Sequence, residues 1–473
     1  MTAPGSFAYD EVPYDTEANS EAHPRSMGTL ARLFGIEAPL ASAARVLEIG
    51  CGDGEHLVAA ASYLPHARFV GFDLSGAAIA RGIEAASASE VANVELLHRD
   101  LRDVAKASLG AFDYVFAHGV YSWVPAALRP DVLRVMRDAL APNGVAFVSA
   151  NALPGWELRR ALRAIMRESS AHLEDPAAKV AAALTAIDAL AADSSQSFAS
   201  VIAAAAREYR EHVVRATPPD APFSRYVFHD LLADCNDPFS IDDLVDDAAR
   251  AGLRVVCDSP GARSVDELRT AMRASGTPFV QLLLVRDDAT PRSAPDATAI
   301  AGMHLWADLA PAGGPDLFKT TTGAVLRAAA GSAIARAATR APGFVAVNDL
   351  ADTDHARDAL AHDLLAALRD GSLVVAAEPI ALVVARGREP LPAVSSHVRA
   401  RATLAVERGA ASAVVTSALH RSFRVPRAEL EVIRHLDGTV TEPALVERIG
   451  DAARVATVLD RFARHGFFVE RSS

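Results

Sequence analysis

Arg45-Val-Leu-Glu-Ile49 followed by Gly50-Cys-Gly52-Asp-Gly54 is the stretch that decides how the first half of this chain is read. The apolar run reads as a buried strand, and glycines at alternate positions let the backbone turn sharply into a helix expected through about Tyr63. Working outward, Ala67–Asp73 and Val94–His98 read as the second and third strands, with a helix from Ser75 between them. Phe112–Ala117 reads as the fourth. A helix over about Pro130–Leu140 stops at Pro142-Asn-Gly144, and Val145–Ser149 reads as the fifth. Strand and helix alternating at this spacing predict an α/β fold built on a parallel, doubly wound, Rossmann-like sheet. Leu253–Cys257 and Phe279–Val285 would extend it to seven strands. The Ala-rich, strand-poor stretch before these two predicts a helical insertion at about 155–250, inside one domain spanning 1–290.

Arg286-Asp-Asp-Ala-Thr-Pro-Arg-Ser-Ala-Pro295 is polar, carries two prolines and reads as a linker. Two α+β units of winged-helix-like order are expected beyond it, at 300–380 and 395–473. The first has helices near 328–340 and 355–369 and a strand at Ser372–Ala376. The second has helices near 427–436, 442–449 and 453–465 and a strand at Phe467–Glu470.

Composition narrows the function. At 473 residues the chain exceeds one ordinary domain, and 51% hydrophobic with 22% charged residues rules out disorder. A net charge of −12 argues against general affinity for nucleic acid or anionic membrane, so neither is expected as a partner. Residues 291–473 sum to about +1, so the acidity lies in residues 1–290, which would draw a cationic acceptor. Only three cations are lysines, as in an Arg- and Ala-rich, GC-rich genome. The three cysteines form no C-x-x-C pair, which predicts a reduced compartment and no structural metal. The acidic N-terminal stretch does not read as a leader, and no run approaches the roughly 18 apolar residues of a membrane span. A cytoplasmic location is expected.

The loop glycines are spaced G-x-G-x-G, unlike the G-x-G-x-x-G of a dinucleotide site, where the helix end meets a pyrophosphate. S-adenosylmethionine (SAM) carries no phosphate, so such a loop would border its amino-acid and ribose moieties. Glu48, Gly50, Gly52 and Gly54 are therefore candidate cofactor-binding residues. Asp73, ending the second strand, would accept hydrogen bonds from the ribose hydroxyls, and Asp100, after the third, would lie near the adenine. Tyr14, with Tyr9, would close over the cofactor as a lid, or else belongs to a frayed terminus.

Ligands of open α/β sheets lie off the strand carboxyl ends, so His118-Gly-Val-Tyr-Ser-Trp-Val-Pro125 should face the reacting methyl. Tyr121 and Trp123 would flank a cation or alkyl ammonium, and His118 would accept a proton. The alternative is that these rings pack the cavity wall. Asn151 either positions the acceptor or shapes the turn before Pro154, and His229 and Asp230 read as structural because adjacent residues on a helix or strand diverge. Displacement at a sulfonium is largely a matter of alignment and requires no metal.

Residues 45–151 resemble a class I SAM-dependent methyltransferase. Tyr9-Asp-Glu-Val-Pro-Tyr14, His23-Pro24, His118–Pro125, Asn151-Ala-Leu-Pro-Gly-Trp156, Phe228-His-Asp-Leu-Leu232 and His435-Leu-Asp-Gly-Thr439 resemble bacterial methyltransferases that carry a "methyltransferase regulatory domain". That resemblance is strong to about residue 165 and looser beyond, and Ala150 departs from the Tyr of its pattern. It implies SAM as cofactor, and some members methylate lysines of bacterial surface proteins. A protein lysine is thus the expected acceptor. A small-molecule (secondary-metabolite) acceptor, or a non-catalytic SAM-binding regulatory or assembly module, is the alternative. The C-terminal units would serve recognition or oligomer assembly, so deleting residues 300–473 should spare SAM binding.

Overall fold

The computed structural model describes residues 8–469 except 15, 108, 193–198, 219–220, 260, 307–308, 315–316, 321–324, 328–342, 352, 370–372 and 384–388. Its centre is a seven-stranded sheet: β1 (Arg45–Ile49), β2 (Arg68–Asp73), β3 (Val94–His98), β4 (Phe112–Ala117), β5 (Leu140–Asn151), β6 (Leu253–Asp258) and β7 (Phe279–Arg286). The spatial order is β3-β2-β1-β4-β5-β7-β6, parallel except for β7, which runs antiparallel to both neighbours. The α/β, Rossmann-like expectation holds. The order reverses beside β1, so the ends of β1 and β4 open the crevice in which ligands of such sheets lie.

β5 is longer than expected. It begins at Leu140, directly where the Arg129–Ala139 helix ends, and its register against β4 shifts between Phe112 and Tyr114. That irregularity absorbs the Pro142–Gly144 turn within the strand instead of before it.

Helices Trp156–Ser170, Pro176–Ala191 and Ala199–Ala216 bury Trp156, Leu162, Met166, Val180, Ile187 and Tyr209 in a cluster of their own. The next long helix, Ile241–Arg250, instead buries Ile241, Leu244 and Ala248 against one face of the sheet. On the other face the Pro24–Leu33 helix shares a continuous core with Ala297, Ile300, Leu305, Leu364 and Val375. The first C-terminal segment thus contributes to the core of the sheet domain. There His304–Trp306 lies between Phe344–Ala346 and Val374–Ala376 in an antiparallel sheet, beside the Asp354–Arg369 helix. The helix expected near 328–340 lies outside the described residues.

Residues 391–468 have a separate core, with Val398, Val415, Leu430, Leu445, Leu459 and Phe467 at its centre. It is built from the Ser396–Glu407 helix, a Ser412–Thr416/Ser422–Pro426 hairpin and helices Arg427–Ile433, Glu442–Ile449 and Ala452–Arg464. Among the described residues, no helix is long and apolar enough to cross a membrane.

Candidate active site at the strand ends

A cavity of about 1240 Å³ opens at the carboxyl ends of β1, β2, β4 and β5. Gly50, Gly52 and Gly54 all take φ near +60 to +70°, a region that side chains disfavour. A Cβ on Gly50 would also lie 2.6 Å from Val120 Cγ2. The backbone therefore turns tightly at the mouth of β1, and Gly54 starts the Glu55–Ala61 helix.

Asp73 ties this loop to the end of β2. One carboxylate oxygen accepts the Gly52 N–H at 2.9 Å, and the other accepts the Ser75 N–H at 2.7 Å. Glu48, at the end of β1, is only 6% exposed, and its Oε2 has no hydrogen-bond partner. Burial, followed by the charges of Asp73 and Asp53, holds its carboxyl well above the ordinary range. Burial likewise raises Asp73, against the N–H groups of Ser75 and Gly52, and raises Asp53, against the Thr16 hydroxyl that donates to it. Three acids crowd one loop. A cationic ligand relieves their repulsion, whereas a pyrophosphate would add to it.

Asp100 also lines the cavity, as the N-cap of Leu101–Val104, but Arg102 grips both its oxygens and holds its pKa below the usual range. Tyr14 lines the mouth, edge-on to His229 with centroids 5.5 Å apart, and Tyr9 stacks flat on the same imidazole at 4.2 Å. These contacts hold the N-terminal segment across the opening.

The two aromatic residues expected to flank the acceptor part company. Trp123 lines the cavity, and its indole N–H donates to the His229 carbonyl at 3.1 Å. Tyr121 points the other way. It is 1% exposed, packs on Phe239 and donates its hydroxyl to Asp247 at 2.6 Å, so it is withdrawn from the acceptor wall.

His118 lines the cavity, but its proton inventory is unfavourable for a base. Asn19 Oδ1 accepts from the Glu21 and Ala22 N–H groups, which turns its amide nitrogen toward His118 Nε2 at 3.2 Å. Nε2 thus accepts and the proton sits on Nδ1. Burial lowers the imidazole to about 4. It is neutral at physiological pH and weakly basic.

Several wall residues were not foreseen. Trp156, Tyr226, His229 and Asp230 enter from the insertion, and Arg401 and Arg424 from the C-terminal unit. The inference that His229 and Asp230 diverge assumed regular structure, whereas the Arg225–His229 helix ends there. Asp230 leaves helical geometry (φ −89°, ψ −82°), so both residues reach the cavity. Asn151 neither shapes a turn alone nor faces an acceptor alone, because its amide donates to Asn236.

The C-terminal unit also grips the loop helix. Glu55 is buried, with His397 Nε2 at 3.0 Å and Arg401 at 3.2 Å. Burial alone would raise its carboxyl, but these two partners hold it below the ordinary range. One residue along, His56 Nδ1 accepts from Asn19 N–H and meets His420 Nε2 at 3.1 Å. Deleting residues 300–473 would therefore remove direct contacts to the helix that follows the glycine loop.

Comparison with known proteins places this geometry. Residues 47–146 match the model of a family described as "Methyltransferase domain". Two uncharacterised proteins of Rickettsia prowazekii are 33% identical over 245 residues and 39% identical over 160 residues. These matches cover 48% and 34% of this chain, and 44% and 64% of those proteins, so the chain spans less than two thirds of the length of either. A solved structure of PKMT2 from Rickettsia typhi superposes with a TM-score of 0.81 at 21% identity, covering 97% of this chain and all of that one. The same protein in complex with AdoHcy gives 0.78 at 22% identity, with the same coverage. At that identity the likeness establishes the fold.

Proposed function

We propose that this chain, which carries a class I SAM-dependent methyltransferase domain, binds SAM on the acidic glycine loop and transfers its methyl group to a protein lysine. One observation carries the cofactor assignment. Glu48, Asp73 and Asp53 crowd three carboxyl groups around the glycine loop, where burial disfavours their charge until a cation joins them, and one Glu48 oxygen is buried and unpartnered. SAM supplies an activated methyl on a sulfonium, next to an ammonium group, and its positive charge suits these acids. Asp73, already oriented by Gly52 and Ser75, keeps lone pairs for the ribose hydroxyls. Gly50 and Gly52 clear space for the close approach, and Tyr9 and Tyr14 shield the reacting end from water.

A protein acceptor is the reading we carry over from PKMT2, whose fold this chain shares over 97% of its length. The test is incubation with tritiated SAM and fractionated cell extract. Label in acid-stable lysine derivatives of protein supports the reading. Label confined to small molecules assigns a metabolite acceptor, and label nowhere overturns catalysis.

A further inference from the structure

We infer that Asp230 is the anchor for the acceptor's ammonium group, resting on the methyl-transfer reading above. The carboxylate is 5% exposed, lines the cavity, and its Oδ2 has no hydrogen-bond partner. Its orientation is fixed from two sides. Asn236 Nδ2 donates to Asp230 Oδ1 at 3.3 Å and to its carbonyl at 2.9 Å, while Asn236 Oδ1 receives the amide of Asn151 at the end of β5. The preceding carbonyl, of His229, is held by the Trp123 indole beyond β4. Tyr226 also hydrogen-bonds to this carboxylate. The acid is thus fixed in the wall beside the two strand ends off which the acceptor should lie, with its buried Oδ2 still lacking a partner.

Its surroundings suit an alkyl ammonium. Trp123, Trp156, Tyr9 and Tyr226 line the same cavity, supplying ring faces for a methylene stem and its charge. Tyr9 also links this acid to the cofactor loop, because burial, then Asp73, then Asp230 push its hydroxyl up to about 12. The cations whose charge reaches Asp230 are pinned elsewhere. Arg159 lies over Trp156 and near Glu208, and Arg163 donates to the Asp234 carbonyl at 3.1 Å.

The chemistry follows from this placement. The ammonium donates to Oδ2 and passes its proton there, leaving a neutral amine and a neutral carboxylic acid. A buried site favours that pair over two charges. The amine lone pair then forms the N–C bond as the methyl–sulfur bond breaks, and the departing electron pair stays on sulfur as a thioether. The acid afterwards returns its proton to solvent. His118, whose free nitrogen accepts from Asn19, is not placed for this step.

The probe is n-butylammonium, a lysine side-chain mimic, titrated by NMR against full-length protein loaded with S-adenosylhomocysteine. n-Butanol serves as the uncharged control. Wild type should bind the ammonium at least about tenfold more tightly than the alcohol. Asp230→Asn, which keeps the shape and the Asn236 contact, should abolish that preference while SAM affinity stays within about twofold. Equal preference in wild type and Asp230→Asn, or none in wild type, overturns the assignment. Should Asp230→Asn lose SAM affinity or fold stability, Asp230→Glu decides, since recovered ammonium preference supports the anchor and its continued absence overturns it. If the preference holds while label from tritiated SAM enters only small amines, the lysine reading falls and the anchor stands.

Discussion

The cavity has two walls of different origin. The proposed cofactor wall is built by the sheet's own strand ends, where Glu48, the glycines and Asp73 lie within 26 residues of one another. The proposed acceptor wall is brought in from outside, by Trp156 and Asp230 of the insertion and Tyr9 and Tyr14 of the N-terminal segment, while the C-terminal unit adds Arg401 and Arg424 to the cavity lining. A local turn can fix a backbone geometry, but choosing an acceptor takes side chains arriving from several directions. The first wall should therefore fail through single residues, and the second through its supports.

The largest effect is expected at the cofactor wall. Asp73→Ala removes the acceptor for two N–H groups and the proposed ribose contact, so SAM affinity should fall at least about 100-fold, about 3 kcal/mol. Calorimetry finding less than a threefold change would mean that the loop is organised without it.

Next is the junction between the walls. His397→Ala leaves the buried Glu55 carboxylate with Arg401 alone, and breaking a buried pair costs about 3 kcal/mol. The variant should melt well below wild type and bind SAM more weakly, although residue 397 is far from the loop in sequence. Unchanged melting and affinity would show that SAM binding does not depend on the tail, as the sequence alone suggested.

The smallest effect is a single histidine's share of a pH dependence at the same junction. His23, His56 and His420 are buried together, and burial first, then neighbouring histidines and, for His23 and His420, Arg25, hold all three well below 6.5. The folded state keeps them neutral while the unfolded chain protonates them. The stability they share is therefore fully present above about pH 6.5 and declines below it, by up to about 1.4 kcal/mol per pH unit for each histidine. Melting curves from pH 8 to pH 5 should show this loss, blunted in His420→Asn. A flat profile would remove the histidines from the junction.

That Glu48, Asp73 and Asp100 meet in one cavity was legible because each sits at or just past the end of its own strand, where fold topology dictates direction. Trp123 and Tyr121 show the limit of that logic. They are two residues apart in a turn, where strand alternation does not hold, and one faces the cavity while the other pairs with Asp247 beneath it. Asp230 was set aside for the opposite reason, since a regular helix was assumed at the residue where the helix ends. The Glu55–His397 and His56–His420 contacts span more than 340 residues, and no local pattern announces them.

The most direct test of the central claim is calorimetric titration of the full chain with SAM and, separately, with NAD⁺. An acidic loop built for a cationic, phosphate-free cofactor predicts one SAM bound per chain and no measurable heat from NAD⁺. Binding of NAD⁺ with none of SAM would contradict it.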